Sequence, residues 1–108
     1  MEIKEVIITP YARQTLLFIF EFIKEESSTL TAIKFKDDFL NVAEQLDKNY
    51  LIYPECRFLQ TKKEIYRNII WNKYLIIYKI MKDEIWIIGL FHTSQSPNKL
   101  KAFRKIRK

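Results

Sequence analysis

The stretch Glu64–Leu100, EIYRNIIWNKYLIIYKIMKDEIWIIGLFHTSQSPNKL, decides the fold of this chain. It holds three apolar runs, rich in β-branched and aromatic residues, that are separated by short polar breaks. Such side chains suit a pleated sheet, and breaks of this length can join only antiparallel neighbours. The stretch therefore predicts an antiparallel β-meander, and we look for function in the polar residues from His92 onward.

Upstream of the meander, the sequence predicts one strand and two helices. Residues 3–8 form a β-branched run, and Thr9-Pro10 is typical of a helix start. Apolar residues at three-to-four spacing predict helices over Pro10–Glu26 and Thr29–Asp47. The predicted fold class is α+β in the order β-α-α-β-β-β, with an antiparallel helical hairpin packed on one face of the sheet.

Three features leave parts of this fold open. Residues 48–63 predict a loop pinned to the core, because Pro54 disfavours a central strand. Both faces of the strand Tyr74–Met81 are apolar, so either the C-terminal segment or a partner should cover the face without helices. Gly89 inside the last strand indicates a bulge or a close approach of backbone.

The C-terminal segment carries six Lys/Arg among residues 99–108 and no acid. Leu100, Phe103 and Ile106 recur at three-residue spacing, which predicts a short helix with its cations turned to solvent. A disordered basic tail is the alternative.

The first helix has more apolar residues than one buried face needs. Leu17, Phe18 and Phe22 lie off that face, so they contact either the second helix or a protein partner.

Charge and composition restrict the class of protein. Residues 1–54 carry six Lys/Arg and nine Asp/Glu, a net charge of −3, whereas residues 55–108 carry thirteen and four, a net charge of +9. A basic half indicates an anionic or acidic partner. One cysteine and one histidine exclude an intramolecular disulfide framework and a conventional zinc site. We expect one domain over residues 1–108, located in the cytoplasm, with no membrane association, metal or cofactor.

The element order, the pair Tyr66-Arg67, the strand Tyr74–Tyr78 and the ending Leu90–Pro97 resemble the RelE/ParE toxin superfamily of type II toxin–antitoxin systems. The resemblance covers essentially the whole chain. It implies a bacterial toxin that is held inactive by an antitoxin wrapped around it, and it makes Leu17, Phe18 and Phe22 candidate antitoxin contacts. RelE-like members cut messenger RNA on the ribosome, whereas ParE-like members act on DNA gyrase.

Two positions depart from the patterns of the two branches. RelE-like nucleases often have an arginine at the position of Leu75, and ParE-like sequences commonly have one at the position of Ser94. The resemblance therefore leaves open whether the protein is an enzyme. If it is one, it would be a ribosome-dependent endoribonuclease; we favour the ParE-like branch.

RNA cleavage would need an acid–base group and cations that stabilise a phosphorane. Histidine is the residue type whose ordinary pKa lies nearest neutrality, so His92 is the leading acid–base candidate, with a structural strand-end role as the alternative. Arg67 is the second catalytic candidate, because a guanidinium can bind phosphate through two hydrogen bonds; its alternative is an ion pair with an acid such as Glu64. The candidate contacts to nucleic acid or target are the basic residues Lys62, Lys63, Arg67, Lys99, Lys101, Arg104 and Lys105.

Two further functions are consistent with the sequence. The basic half and Phe103 among the C-terminal cations would also suit a nucleic-acid-binding module without toxicity. The second of these functions is that of a degenerate toxin, which is retained for its protein interactions. The sequence does not define the oligomeric state.

Overall fold

The computed structural model describes residues 2–107, and its elements follow the predicted order. The bounds are β1 (Glu5–Ile8), α1 (Pro10–Glu26), α2 (Thr29–Asn49), β2 (Tyr66–Trp71), β3 (Tyr74–Ile80), β4 (Glu84–His92) and a C-terminal 3-10 helix (Pro97–Lys105). The α+β class is confirmed. The first strand begins two residues later than predicted and α2 ends two residues later, at Asn49.

The four strands form one sheet in the order β1-β4-β3-β2. β2, β3 and β4 pair antiparallel, which confirms the meander. β1 pairs parallel with β4, with Glu5 opposite Glu84 and Ile8 opposite Ile87. Parallel neighbours need a long connection, and both helices lie between these strands in the sequence.

Thr9 joins the start of α1 to the sheet. Its buried hydroxyl accepts a hydrogen bond from the Ala12 amide at 3.2 Å and donates one to the Ile87 carbonyl at 2.9 Å. The first contact is a helix cap. One side chain therefore fixes both where α1 begins and how it sits on β4.

The two faces of the sheet are buried by different parts of the chain. Side chains alternate along β3, so Ile76 packs with the helices while Ile77 packs on the opposite side with Leu100 and Phe103. We call these sides the helix face and the C-terminal face. Of the two predicted covers, the C-terminal segment or a partner, the C-terminal segment packs on the second face, and it forms a short helix instead of a disordered tail.

Gly89 lies at a bulge, which is one of its two predicted roles, and the groups that approach it closely are side-chain rings. Pairing between β3 and β4 shifts by one residue there, since Ile77 lies opposite Gly89 but Tyr78 lies opposite Ile87. A methyl group on Gly89 would lie 3.2 Å from a Tyr11 ring carbon and 3.3 Å from one of Phe103. The position therefore combines a bulge with a close approach of two rings.

The loop before β2 is held against the sheet, as predicted. The Cys56 amide donates to the Tyr66 carbonyl at 2.8 Å, and the Asn68 amide donates to the Pro54 carbonyl at 3.1 Å. Cys56 is fully buried, and this burial raises the pKa of its thiol. Its side chain is therefore a protonated packing group.

Candidate functional site

A cleft of about 380 Å³ lies between α1 and the ends of β3 and β4. α1 contributes Phe18 and Phe22 to its wall, and the sheet contributes Tyr74 and His92. We call it the α1–sheet cleft. It brings two candidate antitoxin contacts beside the candidate catalytic histidine, although the roles predicted for these residues are separate.

His92 is held by the turn that follows β4. Its Nδ1 accepts a hydrogen bond from the Ser94 amide at 3.1 Å and lies 2.6 Å from the Ser94 hydroxyl. The ring also meets Tyr74 edge-on, with 5.2 Å between centroids. Since Nδ1 is an acceptor, the neutral ring carries its proton on Nε2. His92 therefore stabilises the turn and can offer an Nε2 donor to the cleft.

Arg67 bonds to backbone carbonyls of its own chain. Its Nε donates to the Glu64 carbonyl at 3.1 Å. One terminal nitrogen donates to the carbonyls of Leu51 at 3.1 Å and Tyr53 at 2.9 Å. The Glu64 contact uses the backbone, so the predicted alternative of an ion pair with that carboxylate is replaced by a bond to its carbonyl. The guanidinium ties the loop to β2.

Arg67 also acts electrostatically on Tyr78, which lies opposite it on β3. Burial raises the pKa of the Tyr78 hydroxyl, and the nearby positive charge of Arg67 lowers it by a smaller amount. The hydroxyl donates to the Tyr50 carbonyl at 2.6 Å, so the neutral phenol is the form that the fold stabilises.

The two catalytic candidates are not brought together. Arg67 pairs with Tyr78 on one side of β3, whereas His92 pairs with Tyr74 on its other side. Four residues of strand separate these pairs by about 13 Å, and two strand spacings add about 10 Å across the sheet. Arg67 and His92 therefore do not form one acid–base and phosphate-binding site.

The basic residues predicted to contact nucleic acid or target differ in whether they already contact other residues of the chain. Arg104 donates to the Gln60 carbonyl at 3.3 Å, and its guanidinium lies 5.6 Å from the centroid of the Tyr66 ring. The other predicted cations are exposed to solvent: Lys62, Lys63, Lys99, Lys101 and Lys105. The first two precede β2 and the others lie on the 3-10 helix, so they belong to two separate segments of the chain.

A second groove, of about 520 Å³, runs between the outer sides of the two helices. We call it the interhelical groove. Leu17 and Leu40 line it, with Arg13 and Lys36 on its walls. Leu17 is among the contacts predicted from the sequence, whereas neither cation is. Their signal was faint, because each is a single charge on an otherwise apolar helix face.

The described part of the chain, residues 2–107, holds no group of three His, Cys, Asp or Glu side chains placed for a metal ion. Within the same residues no helix is long and apolar enough to cross a membrane.

Comparisons with known proteins place this arrangement in a family. A family model described as the ParE toxin of type II toxin–antitoxin system, parDE, matches residues 6–97. The structure is similar to one described as the chromosomal ParDE TA system from P. aeruginosa, with a TM-score of 0.70 and 14% identity; the match covers 83% of this chain and 96% of that one. The comparison with curated proteins finds no match.

The family match extends from β1 through the end of the His92 turn, so it includes both helices, the meander and the α1–sheet cleft. The solved structure supports the fold over a similar share of the chain. The chain belongs to the ParE toxin family, and it is the toxin component of a type II toxin–antitoxin system whose partner is an antitoxin.

Proposed function

We propose that the antitoxin neutralises this toxin by docking on the outer side of α1. The observation that carries the proposal is the exposure of Leu17, Phe18 and Phe22, whose side chains are 60%, 74% and 56% exposed. Phe18 and Phe22 open onto the α1–sheet cleft, whereas Leu17 opens onto the interhelical groove. An apolar stripe between two grooves suits an amphipathic segment that wraps around the helix.

Charge supports the same partner. Arg13 and Lys36 stand on the walls of the interhelical groove. We expect an acidic antitoxin, and its carboxylates would meet these two cations while its apolar residues cover Leu17. Such complementarity mainly speeds encounter and fixes orientation.

Serine substitutions at two equally exposed residues test the docking surface. Phe18→Ser removes an anchor of the stripe, and Ile70→Ser on β2 is the matched control, since the two side chains are 74% and 77% exposed. We expect Phe18→Ser to weaken antitoxin binding by at least tenfold, as loss of a central apolar anchor does. Growth arrest should persist and rescue by the antitoxin should fail. Equal binding of both variants would reject this surface.

We further propose that the toxin acts in the cytoplasm by binding DNA gyrase, without cutting RNA. The separation of Arg67 from His92 supports this reading, because a nuclease needs its acid–base group and its phosphate-binding cation at one scissile bond. Leu75 supports the same reading. RelE-like nucleases often have an arginine at its position, whereas here the leucine packs with the apolar cluster of the C-terminal face.

Two assays distinguish the modes of action. Purified toxin added to gyrase should inhibit DNA supercoiling, and toxin added to translating ribosomes should leave message ends unchanged. Codon-positioned cuts that vanish in His92→Gln would reject the gyrase proposal and assign a catalytic role to the histidine. Normal growth on expression, together with tight antitoxin binding, would instead indicate a degenerate toxin.

A further inference from the structure

A third cleft, of about 450 Å³, lies on the C-terminal face, away from both grooves of α1. Lys79 of β3 and Trp86 of β4 are direct cross-strand partners and form its floor. Arg104, Ile106 and Arg107 arrive from the C-terminal segment. We call this the Trp86 cleft. It joins parts of the chain that are distant in sequence.

Aromatic rings hold two of its three cations in place. The Lys79 ammonium lies 5.4 Å from the centroid of the Tyr66 ring and 5.7 Å from that of Trp86. The Arg104 guanidinium lies 5.6 Å from the same Tyr66 centroid. Tyr66 is only 4% exposed, so the two charges are held near one fixed ring.

Among residues 2–107, no ion pair neutralises this concentration of positive charge. No ion pair within residues 2–107 includes Lys79, Arg104 or Arg107. The neighbouring acid, Glu84, accepts a hydrogen bond from the Trp86 indole at 2.8 Å. Like charges held beside one ring repel each other, and an anion in the cleft would relieve that repulsion.

The remaining walls are apolar. Trp86, Met81 and Ile106 are partly exposed and line the same space. Cations that track phosphates beside an aromatic surface on which bases stack are the usual features of single-strand binding sites. An acidic peptide would use the cations but would gain less from the apolar wall.

We propose that the Trp86 cleft binds a nucleotide unit of single-stranded nucleic acid. Its phosphate lies among Lys79, Arg104 and Arg107, and its base packs against Trp86. The inference is independent of the antitoxin and gyrase proposals, because it uses none of the residues that carry them. Arg104 is among the contacts predicted from the sequence, whereas Lys79, Trp86 and Arg107 are not. The one visible signal for them is a lysine inside the apolar strand Tyr74–Ile80.

Binding can be measured on the full chain with a labelled oligothymidylate of about eight nucleotides, within the span of a small single-strand binding site. We expect fluorescence anisotropy to report binding that weakens steeply as salt is raised. Arg107→Gln should lower the slope of log affinity against log salt by about 1. Lys73→Gln changes net charge equally but lies in the β2–β3 turn, so it should leave the slope unchanged.

Trp86 provides a second readout. The chain has two tryptophans, so Trp71→Phe leaves Trp86 as the only one. Base stacking should then quench its fluorescence on addition of the oligonucleotide. Trp86→Leu should weaken binding measured by anisotropy at least tenfold, consistent with the loss of one stacked base.

Three results would overturn the proposal. One is absence of binding at low salt. Another is equal loss in Arg107→Gln and Lys73→Gln, which would indicate diffuse charge attraction. The third is equally tight binding of a polyglutamate peptide that competes with the oligonucleotide, which would identify a site for acidic protein segments.

Discussion

The two faces of the sheet are buried by covers of unequal size, and the difference determines what each presents to solvent. On the helix face the cover consists of α1 and α2, with 17 and 21 residues. On the C-terminal face it is a nine-residue 3-10 helix together with the loop around Cys56 and Leu59. The two helices leave large apolar side chains exposed, whereas the 3-10 helix buries its large apolar side chains.

The outer surfaces follow from this inequality. α1 exposes Phe18 and Phe22, while the 3-10 helix buries Leu100 and Phe103 and exposes lysines. Exposed aromatic side chains therefore lie on the outside of α1, and exposed cations lie on the outside of the 3-10 helix. One small sheet thus supports two chemically different surfaces.

The largest expected effect comes from opening the C-terminal face. Phe103→Ala removes a side chain that is 5% exposed and packs edge-on against Tyr11. We expect the free energy of unfolding to fall by about 3 kcal/mol, as for other buried aromatics. Urea denaturation measures this, and hydrogen exchange should show faster opening of the loop around Cys56. Lys105→Ala, exposed on the same helix, should cost under about 0.5 kcal/mol. Equal losses would show that the short helix does not close this face.

A smaller effect is expected where the loop meets β2. Arg67→Met removes three charge-assisted hydrogen bonds to backbone carbonyls and should cost about 2 kcal/mol. The loosened loop should be cut faster by trypsin after the exposed Arg57. Lys63→Met is the control and should change neither quantity. Loss of toxicity with unchanged stability and trypsin cleavage would instead indicate that Arg67 contacts the target.

Arg67 also shows where sequence reasoning reaches its limit. Its residue type suggested phosphate binding or an ion pair, but its partners are backbone carbonyls, and two of the three lie 14 and 16 residues away in a loop without periodicity. The helices and the meander were predictable because their patterns are local and repeat every few residues. The parallel pairing of β1 with β4 has no local signal. The Trp86 cleft has no local signal either, because it depends on the register across the sheet and on where the C-terminal segment docks.

Gly89 lies where the two covers meet, because Tyr11 from α1 and Phe103 from the 3-10 helix both approach it. Gly89→Ala would place a methyl group 3.2 Å from the first ring and 3.3 Å from the second, so we expect a loss of about 1–2 kcal/mol by overpacking. Phe103→Leu frees space at this point. In that background Gly89→Ala should cost less, and the coupling energy is read from a double-mutant cycle by urea denaturation. Additive losses would show that the Phe103 ring does not limit the space around Gly89.

The smallest effect concerns a polar link on the helix face. Tyr78→Phe removes the hydrogen bond to the Tyr50 carbonyl and should cost about 1 kcal/mol at neutral pH.

Burial raises the pKa of Tyr78, so above about pH 10 the unfolded chain loses this proton while the folded chain keeps it. The unfolded state then binds fewer protons, and stability falls as pH rises, by up to about 1.4 kcal/mol per pH unit for this group. Tyr78→Phe lacks this contribution, so its deficit relative to the parent should shrink as urea denaturation is repeated from pH 9 to 11. A deficit that stays constant over this range would mean that the folded state does not keep the Tyr78 proton more tightly than the unfolded chain does.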